Sequence, residues 1–260
     1  MKKLENKTAL ITGGGTGIGR AMALAFAGEG AKIAICGRRR EPIDATVAEL
    51  KALGAEALGM SVDQAIEADC IRAIEETAGT LGGLDILVNN AASVGQVGPV
   101  ADLEVSAWED ALRVNLTGLM VLCREAVKVM IPQQRGNILN VSSNVGRRGF
   151  ANRAPYVCSK WAMHGFTQTL ALETAQVGIR VNTICPGPVM TDRLRGSMEK
   201  MSAKRGISPA ELQQEWEGES PMGRFATSEE CAKVALFLVS DDSSAMTGQA
   251  INVTAGMLMS

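Results

Sequence analysis

Two hydrophobic rhythms alternate along the chain. Short apolar runs rich in β-branched residues, such as "TALIT" (8–12) and "AKIAIC" (31–36), read as strands. Each is followed by a longer stretch whose apolar positions recur with a helical period, the first being "IGRAMALAFAGEG" (18–30), which closes on Gly28 and Gly30. The same pattern predicts further strands over 56–62, 84–89, 136–143, 178–185 and 248–254. It predicts helices over 42–53, 65–80, 106–113, 116–131, 155–175 and 228–239, and Pro155 suits the first turn of the fifth of these. Between 186 and 227 the pattern is irregular, apart from a helical stretch at 209–217.

Such alternation predicts an α/β protein with a seven-stranded parallel sheet covered by helices on both faces. No linker, repeat or low-complexity segment interrupts it, so one domain over 1–260 is the simplest partition. Sheets of this kind bind their ligands past the carboxyl ends of the strands. Chemistry is therefore to be sought where the strands run out.

Composition narrows the field. With 260 residues and 46% hydrophobic content, there is ample material for a core. The 26 basic and 28 acidic residues leave a net charge of −2, which gives no support for a nucleic-acid or anionic-membrane partner. No apolar stretch approaches the roughly 18 residues that span a bilayer. The N-terminal "MKKLENKTAL" lacks the apolar centre of a signal peptide, so a cytoplasmic location is expected. Six scattered cysteines read as free core thiols rather than disulfides or metal ligands. His164 is the one histidine, which argues against a multi-histidine metal site, and no metal is expected. Tyr156 is the one tyrosine, so any mechanism that needs a phenol must use it.

The stretch "ITGGGTGIG" (11–19) carries the first chemical signal, with five glycines in the seven positions from Gly13 to Gly19. It follows the first strand and opens the first helix. A helix N-terminus presents unpaired N–H groups and a partial positive charge. A backbone stripped of side chains lets a pyrophosphate lie against it. The spacing is T-G-x-x-x-G-x-G, with Thr12, Gly13, Gly17 and Gly19 as the fixed positions. A second signal is the pair Tyr156 and Lys160, four apart and so on one helix face. An ammonium lowers the pKa of a nearby phenol, which can then give a proton to a carbonyl oxygen or take one from an alcohol. A hydroxyl from the end of the 136–143 strand, Ser142 or Ser143, can hold the same oxygen. Singly, each residue fits a bland role: a buried aromatic, a solvated lysine, a polar strand end. Their occurrence together with the glycine turn favours catalysis.

These motifs resemble the short-chain dehydrogenase/reductase family. "NNAA" (89–92), Asn115 in "VNLTG", "NVSS" (140–143), "YVCSK" (156–160) and "PGPVMT" (186–191) follow the glycine turn in that family's order and cover nearly the whole chain. Two positions depart from the family pattern. Ala92 replaces a common glycine, and "VTAG" (253–256) stands where many members have Val-Asp-Gly-Gly. The resemblance implies a Rossmann-like, doubly wound fold and an NAD(P)-dependent oxidoreductase. It assigns the carbonyl-holding hydroxyl to Ser143, acid–base chemistry to Tyr156, tuning of the phenol to Lys160, and a relay water to Asn115. It places the dinucleotide against Gly13, Thr16, Gly17, Ile18 and Gly19, its adenine near Asp63, its adenosine ribose near Asn89, and its nicotinamide half near Tyr156, Lys160, Val189 and Thr191. It also implies a homo-oligomer, usually a tetramer, built through the helices at 116–131 and 155–175.

Cofactor choice falls after the second strand, in "ICGRRR". Gly37 stands where NAD-preferring members carry Asp, and Arg38 follows, so NADP(H) is expected over NAD(H). Thr16 stands where a second basic marker of NADP preference is often found. Residues 192–224, with mixed charges and Trp216, are expected to form a lid over the substrate. The expected substrate is a small carbonyl or secondary alcohol: a keto-sugar, polyol or ketone. One alternative is a reductase of β-ketoacyl groups on acyl carrier protein, which tends to be basic where this chain reads "ETAQVG" (173–178). Another is a nucleotide-sensing module without catalysis, which usually lacks the tyrosine or lysine kept here.

Overall fold

Strand β1 (Thr8–Thr12) is buried at every position, as a strand covered on both faces must be. The computed structural model describes residues 2–259. Beside β1, six more strands complete one parallel sheet: β2 (Lys32–Gly37), β3 (Ala57–Ser61), β4 (Ile86–Asn89), β5 (Gly136–Val141), β6 (Ile179–Pro186) and β7 (Ala250–Val253). Their order is β3-β2-β1-β4-β5-β6-β7. The chain winds outward from β1 to one edge, then returns to β4 and winds to the other. Ala9 of β1 pairs with Ile33 of β2 on one side and Ile86 of β4 on the other, so the reversal falls between β1 and β4. A crevice opens past the strand ends at such a reversal.

Helices cover the sheet: α1 (Gly17–Gly28), α2 (Arg40–Ala52), α3 (Glu67–Leu81), α4 (Val105–Leu112), α5 (Gly118–Gln133), α6 (Ala154–Thr174), α7 (Asp192–Arg205), α8 (Pro209–Gly218) and α9 (Ser228–Val239). Two cores result. On one face Met22, Ala23 and Phe26 of α1 and Ala232, Ala235 and Leu238 of α9 pack on Ile11, Ile33 and Leu139. On the other, Ala73 and Ile74 of α3, Leu122 and Ala126 of α5, and Met163 and Leu170 of α6 pack on Leu10, Leu87 and Ile138. Successive strand residues face opposite layers, which is why β1 sends Leu10 to one core and Ile11 to the other.

The seven strands and the core helices fall close to their predicted positions, with boundaries shifted by at most two residues. The segment after β6 differs more. Its first half was expected to be irregular, yet α7 spans fourteen residues there. The helix is too polar to show an apolar stripe. Its signals lie at the ends: Thr191 accepts from Leu194 N at 3.4 Å, Asp192 occupies the first turn, Lys204 and Arg205 the last, and Gly206 follows in the left-handed conformation. α8 starts with a capping box between Ser208 and Glu211. Met198, Leu212 and Phe225 form a small core under α7 and α8, with Trp216 packed against it. Met198, Met201 and Trp216 of this segment thus have a packing role. Between α4 and α5 the sequence suggested a break, whereas one π-helical turn (Arg113–Thr117) joins them.

Phe26 is fully buried between α1 and the sheet. Phe26→Ala is expected to lower the unfolding free energy by ~3–5 kcal/mol, read from the denaturant midpoint. A loss under ~1 kcal/mol would contradict this packing.

Candidate active site

The glycine turn is shaped by close approach. Gly13 and Gly17 have φ of 65° and 52°, in the left-handed region that favours glycine. A Cβ on Gly19 would lie 2.3 Å from the Gly13 carbonyl oxygen and 2.5 Å from Asn90 Nδ2. α1 begins directly after this turn, with no side-chain cap from Thr16 and no acidic residue in its first turn. Its N–H groups are left for an outside acceptor, and its positive end faces the crevice. The bare turn and uncapped helix fit a dinucleotide pyrophosphate.

Asn90 and Thr12 lock this turn across the reversal between β1 and β4. Asn90 Nδ2 donates to the carbonyls of Thr12 (2.9 Å) and Gly13 (3.2 Å), while Thr12 Oγ1 accepts from Asn90 N (3.0 Å) and Ala91 N (2.9 Å). Sequence reasoning missed Asn90; the doubled asparagine of "NNAA" was its available signal. Asn89 faces the other way. It is 2% exposed, and its Nδ2 donates to Asn140 Oδ1 (2.9 Å) and Cys123 Sγ (3.2 Å), so only its backbone is left to meet a ribose. Asp63 lies just past β3, where its Oδ1 accepts from Ala65 N (3.0 Å).

Ile18 and Val189 pack together in one apolar cluster. Thr191, the N-cap of α7, lies over Gly17: a Cβ there would come within 3.0 Å of the Thr191 methyl. The structure therefore brings Gly13, Gly17, Ile18, Gly19, Val189 and Thr191 to one crevice. Thr16 and Arg38 are exposed at its rim. Arg40 is paired with Asp44 at 2.8 Å, but Arg38 has no ion-pair partner among the described residues.

α6 carries the candidate pair Tyr156 and Lys160. Lys160 is 2% exposed, and its Nζ donates to the carbonyl of Val141, the last residue of β5, at 2.6 Å. The same Nζ lies 5.6 Å from the Tyr156 ring centroid. Burial pushes the lysine pKa down, while the phenol pulls it back up. For Tyr156, burial favours the neutral phenol. The charges of Lys160 and Arg193, with hydrogen bonds from Arg193 and Ser143, outweigh it and hold the pKa below its ordinary 10.0.

Arg193 comes from α7. Its guanidinium carbon stands 5.7 Å over the Tyr156 ring, its Nη2 lies 3.4 Å from Tyr156 Oη, and its Nη1 lies 3.5 Å from the Ala92 carbonyl. Sequence reasoning placed it in the lid but not at the phenol; the charge run "DRLR" carried no information about distance.

The two candidate serines separate. Ser142 Oγ turns inward, donating to the Lys160 carbonyl (3.1 Å) and meeting His164 Nε2 (3.1 Å). Ser143 lies near enough to the phenol to favour its ionised form, while its Oγ donates to Asn144 Oδ1 (3.1 Å) and accepts from Val145 N (3.4 Å). Asn115 is 1% exposed in the π turn. Its Nδ2 donates to Ser93 O (2.8 Å) and Ser159 Oγ (2.9 Å), and its Oδ1 accepts from Ser93 N (2.7 Å). Ser159 Oγ in turn donates to the Tyr156 carbonyl (2.7 Å). Both amide hydrogens of Asn115 are thus engaged, one on the Ser93 loop and one on α6 through Ser159.

Comparison with known proteins agrees with this geometry. Residues 13–258 match the family profile described as "Enoyl-(Acyl carrier protein) reductase". An uncharacterized oxidoreductase of Thermotoga maritima is 39% identical over 255 residues, covering 97% of each chain. The crystal structure of an actinorhodin polyketide ketoreductase variant with NADPH superposes with a TM-score of 0.93 at 33% identity, covering 96% of this chain and 97% of its own. That of an NAD+-bound xylitol dehydrogenase also gives 0.93, at 34% identity, covering 98% of this chain and all of its own. The chain belongs to the short-chain dehydrogenase/reductase family: it is an NAD(P)-dependent oxidoreductase of ketone and alcohol groups.

Tyr156 is the sole tyrosine, so tyrosinate absorbance reports it alone. Its ionisation midpoint is expected below 10.0. Lys160→Met removes a charge that favours the phenolate, so the midpoint should move up. A midpoint at or above the ordinary value in the unaltered protein would contradict the arrangement.

Proposed function

We propose that this oxidoreductase interconverts a small ketone and its secondary alcohol with NADP(H) preferred, using Tyr156 as the proton donor and acceptor. The observation that carries the reading is the phenol whose pKa is lowered by a buried ammonium one turn away, beside Ser143 and the bare glycine turn. In reduction, Tyr156 Oη gives its proton to the carbonyl oxygen while Ser143 Oγ hydrogen-bonds that oxygen. In oxidation, the phenolate takes the alcohol proton. Lys160 stabilises the phenolate in both directions. A bound nicotinamide supplies or accepts the hydride. Asn115 keeps Tyr156 in register through Ser159, and a relay water beside it would rest on backbone rather than on its amide hydrogens.

Thr16, Gly17, Ile18 and Gly19 would cradle the pyrophosphate, with Val189 and Thr191 against the nicotinamide half and Asp63 and the Asn89 backbone toward the adenosine. The unpaired Arg38 supports NADP(H): it has no carboxylate to release before meeting a 2′-phosphate. Exposed Trp161 (51%) and Leu172 (83%) on α6 support self-assembly. A second reading, reduction of β-ketoacyl groups on acyl carrier protein, draws support from the description of the matching family profile.

Tyr156→Phe is expected to cut turnover by roughly 10²–10⁴-fold while dinucleotide binding persists. Unchanged turnover would sink the mechanism. Arg38→Ala is expected to raise the KM for NADPH about tenfold or more and to change that for NADH little, by steady-state kinetics with both dinucleotides. Equal effects on the two would remove the case for NADP(H).

A further inference from the structure

Two cations, Lys160 and Arg193, stand against one phenol and a third lies beside them, and among the described residues no carboxylate pairs with any of the three. The third is Arg153, the residue before α6, which is half-buried and whose charge interactions are with Tyr156 and Arg193. Its one side-chain hydrogen-bond partner among the described residues is the thioether of Met201 on α7, at 3.8 Å. That is a weak acceptor for a group with five donors. Arg193 is little better served. Its contacts to Tyr156 Oη and the Ala92 carbonyl, 3.4 and 3.5 Å, lie beyond the usual range of charge-assisted hydrogen bonds.

Several arginines of this chain find carboxylates, and the half-buried Arg180 instead donates to Ser243 Oγ and the carbonyls of Ser240 and Met246. Arg205 meets Glu215 at 2.9 Å, Arg224 meets Glu230 at 2.7 Å, and Arg72 meets Asp69 at 2.9 Å. Acidic residues also outnumber basic ones, 28 to 26. An unpaired, partly desolvated guanidinium costs free energy, and two that repel each other cost more. Burial and the neighbouring Arg193 charge push the Arg153 pKa down, with only the phenol opposing. What is missing from this corner is an anion.

We propose that Arg153 and Arg193 clamp an anionic group of the substrate, so that the enzyme acts on a short oxo acid or hydroxy acid carrying a carboxylate or similar compact oxyanion. The proposal rests on the oxidoreductase reading above and names its substrate class. A carboxylate matches the planar fork of a guanidinium and replaces the poor contacts to Ala92 O and Met201 Sδ. Arg193 Nη2 lies within 3.4 Å of Tyr156 Oη, so a carbonyl at the phenol and an oxyanion at the guanidinium are separated by only a few bonds. Arg193 sits on α7 and Arg153 at the start of α6, so one bound anion ties the lid to the catalytic helix. An acyl thioester on a carrier protein offers no anion this close to its carbonyl.

The test compares 2-, 3- and 4-oxopentanoate with their methyl esters, using the full chain with saturating reduced dinucleotide. The proteins are wild type, Arg153→Met, Arg193→Met and Arg193→Lys. For at least one acid, wild-type kcat/KM is expected to exceed that of its ester by about ten- to a hundredfold. The acid-to-ester ratio should fall about tenfold or more in each Met variant and recover in part in Arg193→Lys. Damage to the fold lowers both substrates together and leaves the ratio, so the ratio isolates the clamp. A wild-type ratio near one, or a ratio that neither Met variant moves, overturns the clamp while ester turnover keeps the oxidoreductase reading. Should no compound be reduced, calorimetry of pentanoate against pentan-1-ol on the dinucleotide-bound protein decides the matter. Tighter pentanoate binding that Arg153→Met abolishes supports the clamp, and the failure then belongs to the oxidoreductase reading. Equal binding of the two overturns the clamp.

Discussion

The ammonium of Lys160 donating to the carbonyl of Val141 is the contact on which the site depends. It joins the middle of α6 to the end of β5. Burying an ammonium without a carboxylate is costly. Here the cost is offset by a 2.6 Å charge-assisted hydrogen bond and by a phenol that gains from ionising beside it. The charge cannot move to solvent without leaving that carbonyl unpaired. Its position relative to Tyr156 is therefore fixed by the sheet rather than by helix spacing alone.

Other parts of the site are fixed by the reversal of strand order. Past β1 and β4 the backbone must turn in opposite directions, and Asn90 with Thr12 supplies the hydrogen bonds that the diverging strands cannot. Below that level, Asn89, Asn140, Thr167 and Thr183 form a buried polar string through the sheet into α6. Such a string specifies one arrangement of its members, because a register slip would leave several of them unpaired. The glycine turn sits on this scaffold, and its conformation is imposed from beneath.

The segment after β6 is built on different terms. α7 and α8 have a core of only a few apolar side chains and touch the crevice through Thr191, Val189 and Arg193. Ala255, in a left-handed conformation at φ 52°, accepts hydrogen bonds from Ser220 Oγ (2.6 Å) and Met222 N (3.3 Å) and so anchors the far end of this segment. The departure of "VTAG" from the family pattern thus falls where the 192–224 segment is tied to the chain after β7. Few buried contacts and a mixed-charge surface make this the segment that a ligand can most cheaply reposition.

The sequence by itself determined the alternation of strands and helices, the glycine turn, and the pairing of Tyr156 with Lys160. Each is local: strand and helix periods, backbone permissiveness, and four-residue spacing are all set within a few residues of chain. It did not determine α7, whose polar surface hides its period and whose caps became readable only as ends of a helix. Nor did it determine which way Asn89, Asn90, Ser142 and Ser143 point, since adjacent residues with the same side chain are distinguished only by what packs on each face. The convergence of Arg153 and Arg193 on the phenol was equally invisible. They lie forty residues apart on the chain, and only the packing of the lid over α6 brings their charges to one place.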